Sequence, residues 1–213
     1  MESQPLFLAC REDNDLYRAL QAGAIPCRRY DAAPEIVHEA PAGAGVLVLA
    51  DGYPNSPTLV EQSLFAAAVE KGYRLYIEFP SMLPGLVVGE PRGVTWERAV
   101  VCTEAWAPLA PKLQILMIHG CRYLPLAPRP AEVMIVLARV AGFETALYGL
   151  PAESAPILFS QTPGSILVAT TKLSQFITGR YAPTDCWRAI WQHILGWAHG
   201  QEPGSPLPMS VPM

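Results

Sequence analysis

Charge is scarce in this chain: 16% of its 213 residues are Asp, Glu, Lys or Arg against 51% hydrophobic, and the formal net charge is −4. Lys and Arg never gather into a run. The concentrated basic surface that nucleic-acid phosphates require is therefore missing, and nucleic acid is not expected as a partner. No apolar run approaches the roughly 20 residues that span a bilayer. No charged leader precedes an apolar core at the amino terminus, so the reading is a soluble, cytoplasmic protein without a membrane partner. The five cysteines are odd in number and form no CxxC pair, which argues against a disulfide framework or a zinc ribbon and for buried, reduced thiols. Neither a metal nor a cofactor is expected. Histidine is also rare, at His38, His119, His193 and His199, so a general base has few candidates.

What is present is a strong alternation of short apolar runs and amphipathic stretches. The first eighty residues read LFLAC, NDLYRALQAG, IPCRRY, APEIVHEA, GVLVLA, SPTLVEQSLFAAAVEKG and YRLYIEF. Apolar strands separated by helices imply parallel pairing with helical crossovers, because a parallel connection must travel back over the sheet face. In the long third helix Leu59, Leu64, Ala67 and Ala68 mark an apolar stripe, and Gly72 supplies the stop. The middle of the chain offers strand candidates VTWERAVVCT, LQILMIH and EVMIVLARV between proline-rich turns. APILFSQ and SILVATT read as a hairpin about 162–164. The last helix, about Thr184 to His199, places Trp187, Ile190, Trp191, Ile194, Leu195 and Ala198 on one stripe, a core-facing pattern. The domain boundaries implied are 1–200 for one domain and 201–213 for a Pro-rich tail or linker.

Three stretches in this order carry a resemblance: GVLVLADGYP to a strand entering a glycine turn, EKGYRLYIEFPSM to a strand and tight elbow, and GSILVATTKLSQF followed by WRAIWQHILGW to a strand, loop and closing helix. Together they resemble the class I glutamine amidotransferase-like superfamily, and within it the ThuA-like and trimerisation-type domains found with carbohydrate-processing enzymes. The resemblance implies an α/β, flavodoxin-like, doubly wound and mostly parallel sheet with helices on both faces. It also implies where reactive groups should stand. At the elbow this chain reads Ile77, Glu78, Phe79, Pro80, Ser81, with no cysteine to act as nucleophile. Where ThuA-like proteins carry a Gly-His pair after the strand, it has Lys172 and Leu173.

Open α/β sheets bind ligands at the carboxyl ends of their strands, and the candidates are drawn from there. Ser81, in a sharp turn after a strand, is a candidate nucleophile, with His119 at another strand end as its base; the plainer alternative has both capping or tying local structure. Glu78 at the end of an apolar strand needs a partner or a ligand. It is a candidate acid or base, or the structural partner of Arg122 or Arg180. Glu104 is a candidate second carboxylate, since paired carboxylates flank a sugar in glycosidases. Asp51, Gly52 and Tyr53 form a turn whose glycine permits close backbone approach. Thr171, Lys172 and Ser174, with Thr170, line the strand end beside them, and Tyr53, Trp106, Tyr123 and Tyr181 are candidates for an aromatic wall.

The function expected is a catalytically degenerate ThuA-like domain serving as an accessory, oligomerising or sugar-binding module in carbohydrate metabolism, with a glycoside hydrolase as the larger enzyme it would belong to; glutamine hydrolysis is not expected. The competing expectation is a small esterase or glycosidase using Ser81 or Glu78 with Glu104. Expected partners are a carbohydrate ligand and either further copies of the chain or a fused catalytic domain. One geometric test separates the two: an open pocket at Glu78, His119 and Thr171 favours the enzyme, whereas Phe79, Leu173 and Phe176 filling the crevice favours the module.

Overall fold

A computed structural model describes residues 4–161, 165–178 and 183–201. The first half alternates as its periodicity requires: β1 (Leu6–Ala9), α1 (Asp15–Ala22), β2 (Cys27–Tyr30), α2 (Ala33–Glu39), β3 (Gly45–Val48), α3 (Gln62–Glu70) and β4 (Arg74–Glu78). Asn14 starts α1 by accepting the Leu16 amide at 3.0 Å on its side chain, a cap worth about 1 kcal/mol. Then follow β5 (Val87–Val88), β6 (Arg92–Gly93), β7 (Arg98–Val101), β8 (Ile115–Leu116), β9 (Arg122–Tyr123), β10 (Leu126–Ala127), β11 (Glu132–Ala138), β12 (Ala155–Gln161) and β13 (Ile166–Ala169). A 3-10 helix (Leu173–Thr178) and α4 (Thr184–Ala198) complete the order.

Among the described residues nine strands form one sheet in the order β2-β1-β3-β4-β13-β12-β11-β7-β8. The pairs from β2 to β13 are parallel. Those from β13 to β8 are antiparallel. The sheet is therefore mixed, half parallel and half antiparallel, where the sequence led us to expect a mostly parallel one. The cause lies in the connections: β11, β12 and β13 follow one another without a crossover helix, and only antiparallel strands can be joined so.

Alternate residues of the parallel strands serve two cores. Leu6, Leu8, Leu47, Leu49 and Tyr76 pack with α1, α4 and the 3-10 helix, while Phe7, Val46, Val48, Leu75 and Ile77 pack with α2 and α3. The stripe foreseen in the last helix is buried throughout. Trp187 stacks on Phe176 at 4.3 Å between ring centroids, and Trp191 meets Tyr76 edge-on. Gly45 is required here: a Cβ on it would lie 2.3 Å from the Ala198 carbonyl oxygen, so only glycine admits the end of α4. The third helix is shorter than its periodicity suggested. Ser56–Glu61 is drawn away into a bridge between Thr58 and Pro80, and Leu59 ends up exposed. The hairpin turn at 162–164 and the tail from 202 onward lie outside the described residues. No helix among the described residues is long and apolar enough to cross a membrane.

Candidate functional site

β4 delivers Glu78 to the carboxyl rim of the sheet, where it is completely buried. Its partners come from β4 itself and from two other segments. Oε2 accepts from the Ala50 amide at 3.2 Å and the Ser174 hydroxyl at 2.9 Å; Oε1 accepts from the Tyr76 hydroxyl at 2.9 Å and the Ser174 amide at 2.6 Å. Burial raises the Glu78 pKa, against the pull of the Ala50 and Ser174 hydrogen bonds and the Lys172 ammonium. Of the two arginines that sequence reading offered as its partner, Arg122 is exposed and engages Tyr53 through its backbone, and Arg180 lies outside the described residues. With four donors converging on it, Glu78 joins β3, β4 and the 3-10 helix.

The next residue, Phe79, has φ of +48°, left-handed backbone that a bulky residue adopts at a cost of order 1–3 kcal/mol. It stands at the elbow, the place for which the resemblance implies a nucleophile. The bend is held in place from the side: the Thr58 amide donates to the Phe79 carbonyl at 2.7 Å, the Thr58 hydroxyl to the Glu78 carbonyl at 2.7 Å, and the Ser81 amide to the Thr58 carbonyl at 2.8 Å. The phenyl ring is buried, edge-on to Tyr53 at 5.1 Å. Leu173 and Phe176 are buried as well, in the core with α1 and α4 where Phe176 stacks on Trp187, while Phe79 packs with Ala50, Leu124 and Tyr53.

Tyr53 closes the rim from above. Its hydroxyl accepts the Arg122 amide at 2.6 Å and the Thr171 hydroxyl at 3.4 Å, and the Gln175 side chain reaches Cys121 Sγ at 3.5 Å beside it. Burial raises the pKa of both Tyr53 and Cys121. Asp51 faces the other way, accepting from the Arg11 amide and from Asn14 Nδ2 at 3.0 Å. It ties the turn to the start of α1. Gly52 is needed for close approach, since a Cβ there would meet Ser56 Oγ at 2.4 Å.

The structure thus gathers Asp51, Gly52, Tyr53, Glu78, Arg122, Thr171, Lys172 and Ser174 at one rim, and leaves two expected pairings unmade. Ser81 Oγ accepts the Val60 amide at 3.3 Å, His119 is exposed with its carbonyl taken by Cys121, and no hydrogen bond joins the two. Glu104 is exposed beyond the end of β7. β7 runs opposite to β4 and stands four strands away, roughly 19 Å at ~4.8 Å per spacing, so the two carboxylates cannot flank one sugar. The expectation of Glu104 as a partner assumed parallel strands ending at one edge. Tyr181 lies outside the described residues, and Trp106 is buried in the core.

Sequence reasoning missed most of one opening, foreseeing only Asp51 and Gly52 of its lining. A cleft of about 550 Å³ lies at the ends of β1 and β3, floored by Ala9, Val48 and Leu49 and edged by Asp31, Asp51 and Thr58. Hydroxyls of Ser56 and Ser63 and the carboxylate of Glu61 also face it. The strand order reverses between β1 and β3, and such a switch point is where open α/β sheets hold ligands. The chain leaving β2 crosses past β1 through α2 to reach β3, an order that the alternation of the first four strands does not encode. The carboxylates of Asp31, Asp51 and Glu61, Asp31 paired with Arg29 and Asp51 already accepting from Arg11 and Asn14, make the cleft a poor host for anions, and its remaining carboxylate and hydroxyl oxygens can accept from the O–H groups of a neutral polar molecule. Among the described residues no cluster of His, Cys, Asp and Glu has the grouping to hold a metal ion.

No protein-family model matches this chain, and no curated protein does. Solved structures do. The alpha-L-fucosidase isoenzyme 2 from Paenibacillus thiaminolyticus is similar over 93% of this chain at 11% identity and a TM-score of 0.55. The chain spans 33% of that fucosidase chain. A chain of PurLQS from Thermotoga maritima is similar over 92% of this chain and 99% of its own, at 12% identity and a TM-score of 0.51. At such identities the likeness is one of fold.

Proposed function

We propose that this chain is a binding and assembly module of carbohydrate metabolism, a ThuA-like member of the class I glutamine amidotransferase-like superfamily with a flavodoxin-like parallel half, in which the reactive centre has been replaced by packing. The observation that carries the reading is Phe79: the strained elbow backbone is retained at φ +48°, while its side chain is a buried phenyl ring. Beside it Glu78, the one buried carboxylate among the described residues, already holds four hydrogen bonds. A carboxylate so occupied is not free to move a proton on a substrate.

Ligand binding shifts to the neighbouring cleft between β1 and β3. Its carboxylates and hydroxyls suit a neutral sugar, and the fold shared with a fucosidase supports that choice. Against the hydrolase alternative stands the missing contact between Ser81 and His119.

The test is a titration of neutral monosaccharides and disaccharides followed by calorimetry, with turnover of aryl glycosides and simple esters assayed in parallel. Binding that Asp51→Ala and Ser56→Ala together weaken, with hydrolysis no faster than buffer, is the expected result. Hydrolysis abolished by Ser81→Ala or Glu78→Gln would overturn the reading.

A further inference from the structure

A second cleft, of about 620 Å³, opens where β11 ends and β12 begins, on the same rim of the sheet but over its antiparallel half. It differs from the first in charge. Arg92, Arg129 and Arg139 line it together with Glu97 and Glu153, so cations outnumber carboxylates in a chain whose net charge is negative. We propose that this cleft is an anion site, taking a small molecule with a carboxylate or phosphate group on a compact, partly apolar body.

The three guanidinium groups come from separate segments: β6, the turn before β11, and the residue that follows β11. Two are held by the protein in a way that leaves donors unused. Arg129 Nη1 donates to the Ser154 carbonyl at 2.6 Å and to its hydroxyl at 3.0 Å. Arg139 gives its Nε to Glu97 at 2.9 Å. Glu97 is itself fixed by the Thr95 and Trp96 amides at 3.0 and 3.2 Å, and those bonds hold its pKa down at about 2. It stays ionised and works as a bracket for Arg139. The Arg92 guanidinium has no hydrogen bond or ion pair among the described residues, while its backbone pairs with Tyr123 between β6 and β9. A guanidinium has five N–H donors, so each of the three keeps several for a ligand.

Like charges drawn into one concave site repel and focus the field outward, which favours an anion of matching size. Planar guanidinium forks match carboxylate and phosphate oxygens. The apolar surface is equally specific. Leu137 and Pro156 are buried beneath the arginines, and Tyr123, Pro125 and Leu126 are half-buried at the side, a lining for a ring or short carbon frame rather than for a bare ion. The inference stands apart from the sugar reading of the first cleft, because the two share no lining residue.

The test is calorimetric titration of the whole chain with inorganic phosphate, glucose 6-phosphate, glucuronate and benzoate, with glucose as the uncharged control. Binding of at least one anion that glucose does not imitate is expected, and Arg92→Ala and Arg129→Ala should each weaken it roughly tenfold or more, the worth of a charged hydrogen bond. Arg92→Lys, which keeps the charge but not the fork, should fall between wild type and Arg92→Ala. A preference for the phosphates or for the carboxylates identifies the anionic group. Thermal melts of the variants should match wild type, since both arginines are exposed. The proposal is overturned if no anion binds up to about 10 mM, an affinity too weak for a built site, or if folded Arg92→Ala and Arg129→Ala bind as wild type does.

Discussion

Ser174 grips Glu78 twice across 96 residues of chain, its amide at 2.6 Å from Oε1 and its hydroxyl at 2.9 Å from Oε2. The grip fastens the 3-10 helix to the end of β4, and Trp191 of α4 continues it by donating to the Leu173 carbonyl at 3.3 Å. Buried carboxylates are stable only when their oxygens are satisfied. The network is therefore a structural joint, and cutting it should cost the fold.

Glu78→Gln should lower unfolding free energy by about 1–3 kcal/mol, because the amide group must point its N–H donors at backbone donors on Ala50 or Ser174. Ser174→Ala keeps the amide bond and loses the hydroxyl, so its cost should lie at the lower end. Urea denaturation measures both. If Glu78→Gln proves as stable as wild type, the carboxylate is not a joint, and a catalytic reading regains ground.

The same burial sets a pH dependence. Glu78 has its pKa raised above the ordinary value of 4.5, so the folded state holds the proton more tightly than the unfolded one. Its contribution is fully present below the unfolded value and is lost as pH rises through the folded value. Wild type should thus lose stability relative to Glu78→Gln as pH rises above the ordinary carboxylate value and through the raised folded one. Taking the difference between the two proteins cancels groups common to both, including Glu97, whose depressed pKa acts in the opposite sense. A gap that widens with rising pH contradicts the assignment.

How much of this was written in the sequence depends on range. The period-two and period-3.6 patterns set β1 through β4 and α4 nearly where they occur, because each reflects a face that its own residues bury. Strand direction left no such mark: β7 and β11 alternate in the same way whichever way they run, and Glu104 was misplaced for that reason. The gathering of Asp51, Tyr53, Glu78, Thr171 and Ser174 was legible from their shared position at strand ends. The four donors on Glu78 were not, since three of them come from two distant segments, at Ala50 and Ser174. Nor was the fate of Leu59, where Thr58 gave up the helix for hydrogen bonds to the elbow.

Returning a thiol to the elbow should not return the chemistry. Phe79→Cys places sulfur on left-handed backbone, yet no histidine is hydrogen-bonded nearby to take its proton, and burial already raises the pKa of all five native thiols, that of Cys10 to about 12. Release of ammonia from glutamine should stay at background. Loss of the buried ring should destabilise the fold by about 3 kcal/mol or more. Ammonia release above background would show that a base is in reach of the elbow after all.

The far edge of the sheet is where assembly should occur. β8 is only two residues long, and the segment after β11 folds back onto it, the Ile115 amide donating to the Glu144 carbonyl and Ala146 to Leu113. That segment presents Phe143, Leu147 and Tyr148 at 95%, 69% and 89% exposure. Exposed large apolar side chains on one surface segment are candidates for a contact face, and the assembly role proposed above predicts a second copy of the chain as its occupant, across a two-fold axis. Light scattering after size exclusion should show a concentration-dependent dimer that Phe143→Asp with Tyr148→Asp converts to monomer, while the melting temperature of the isolated fold changes little. A wild-type monomer at every concentration would remove the second copy as occupant, and a dimer indifferent to both substitutions would move the interface elsewhere.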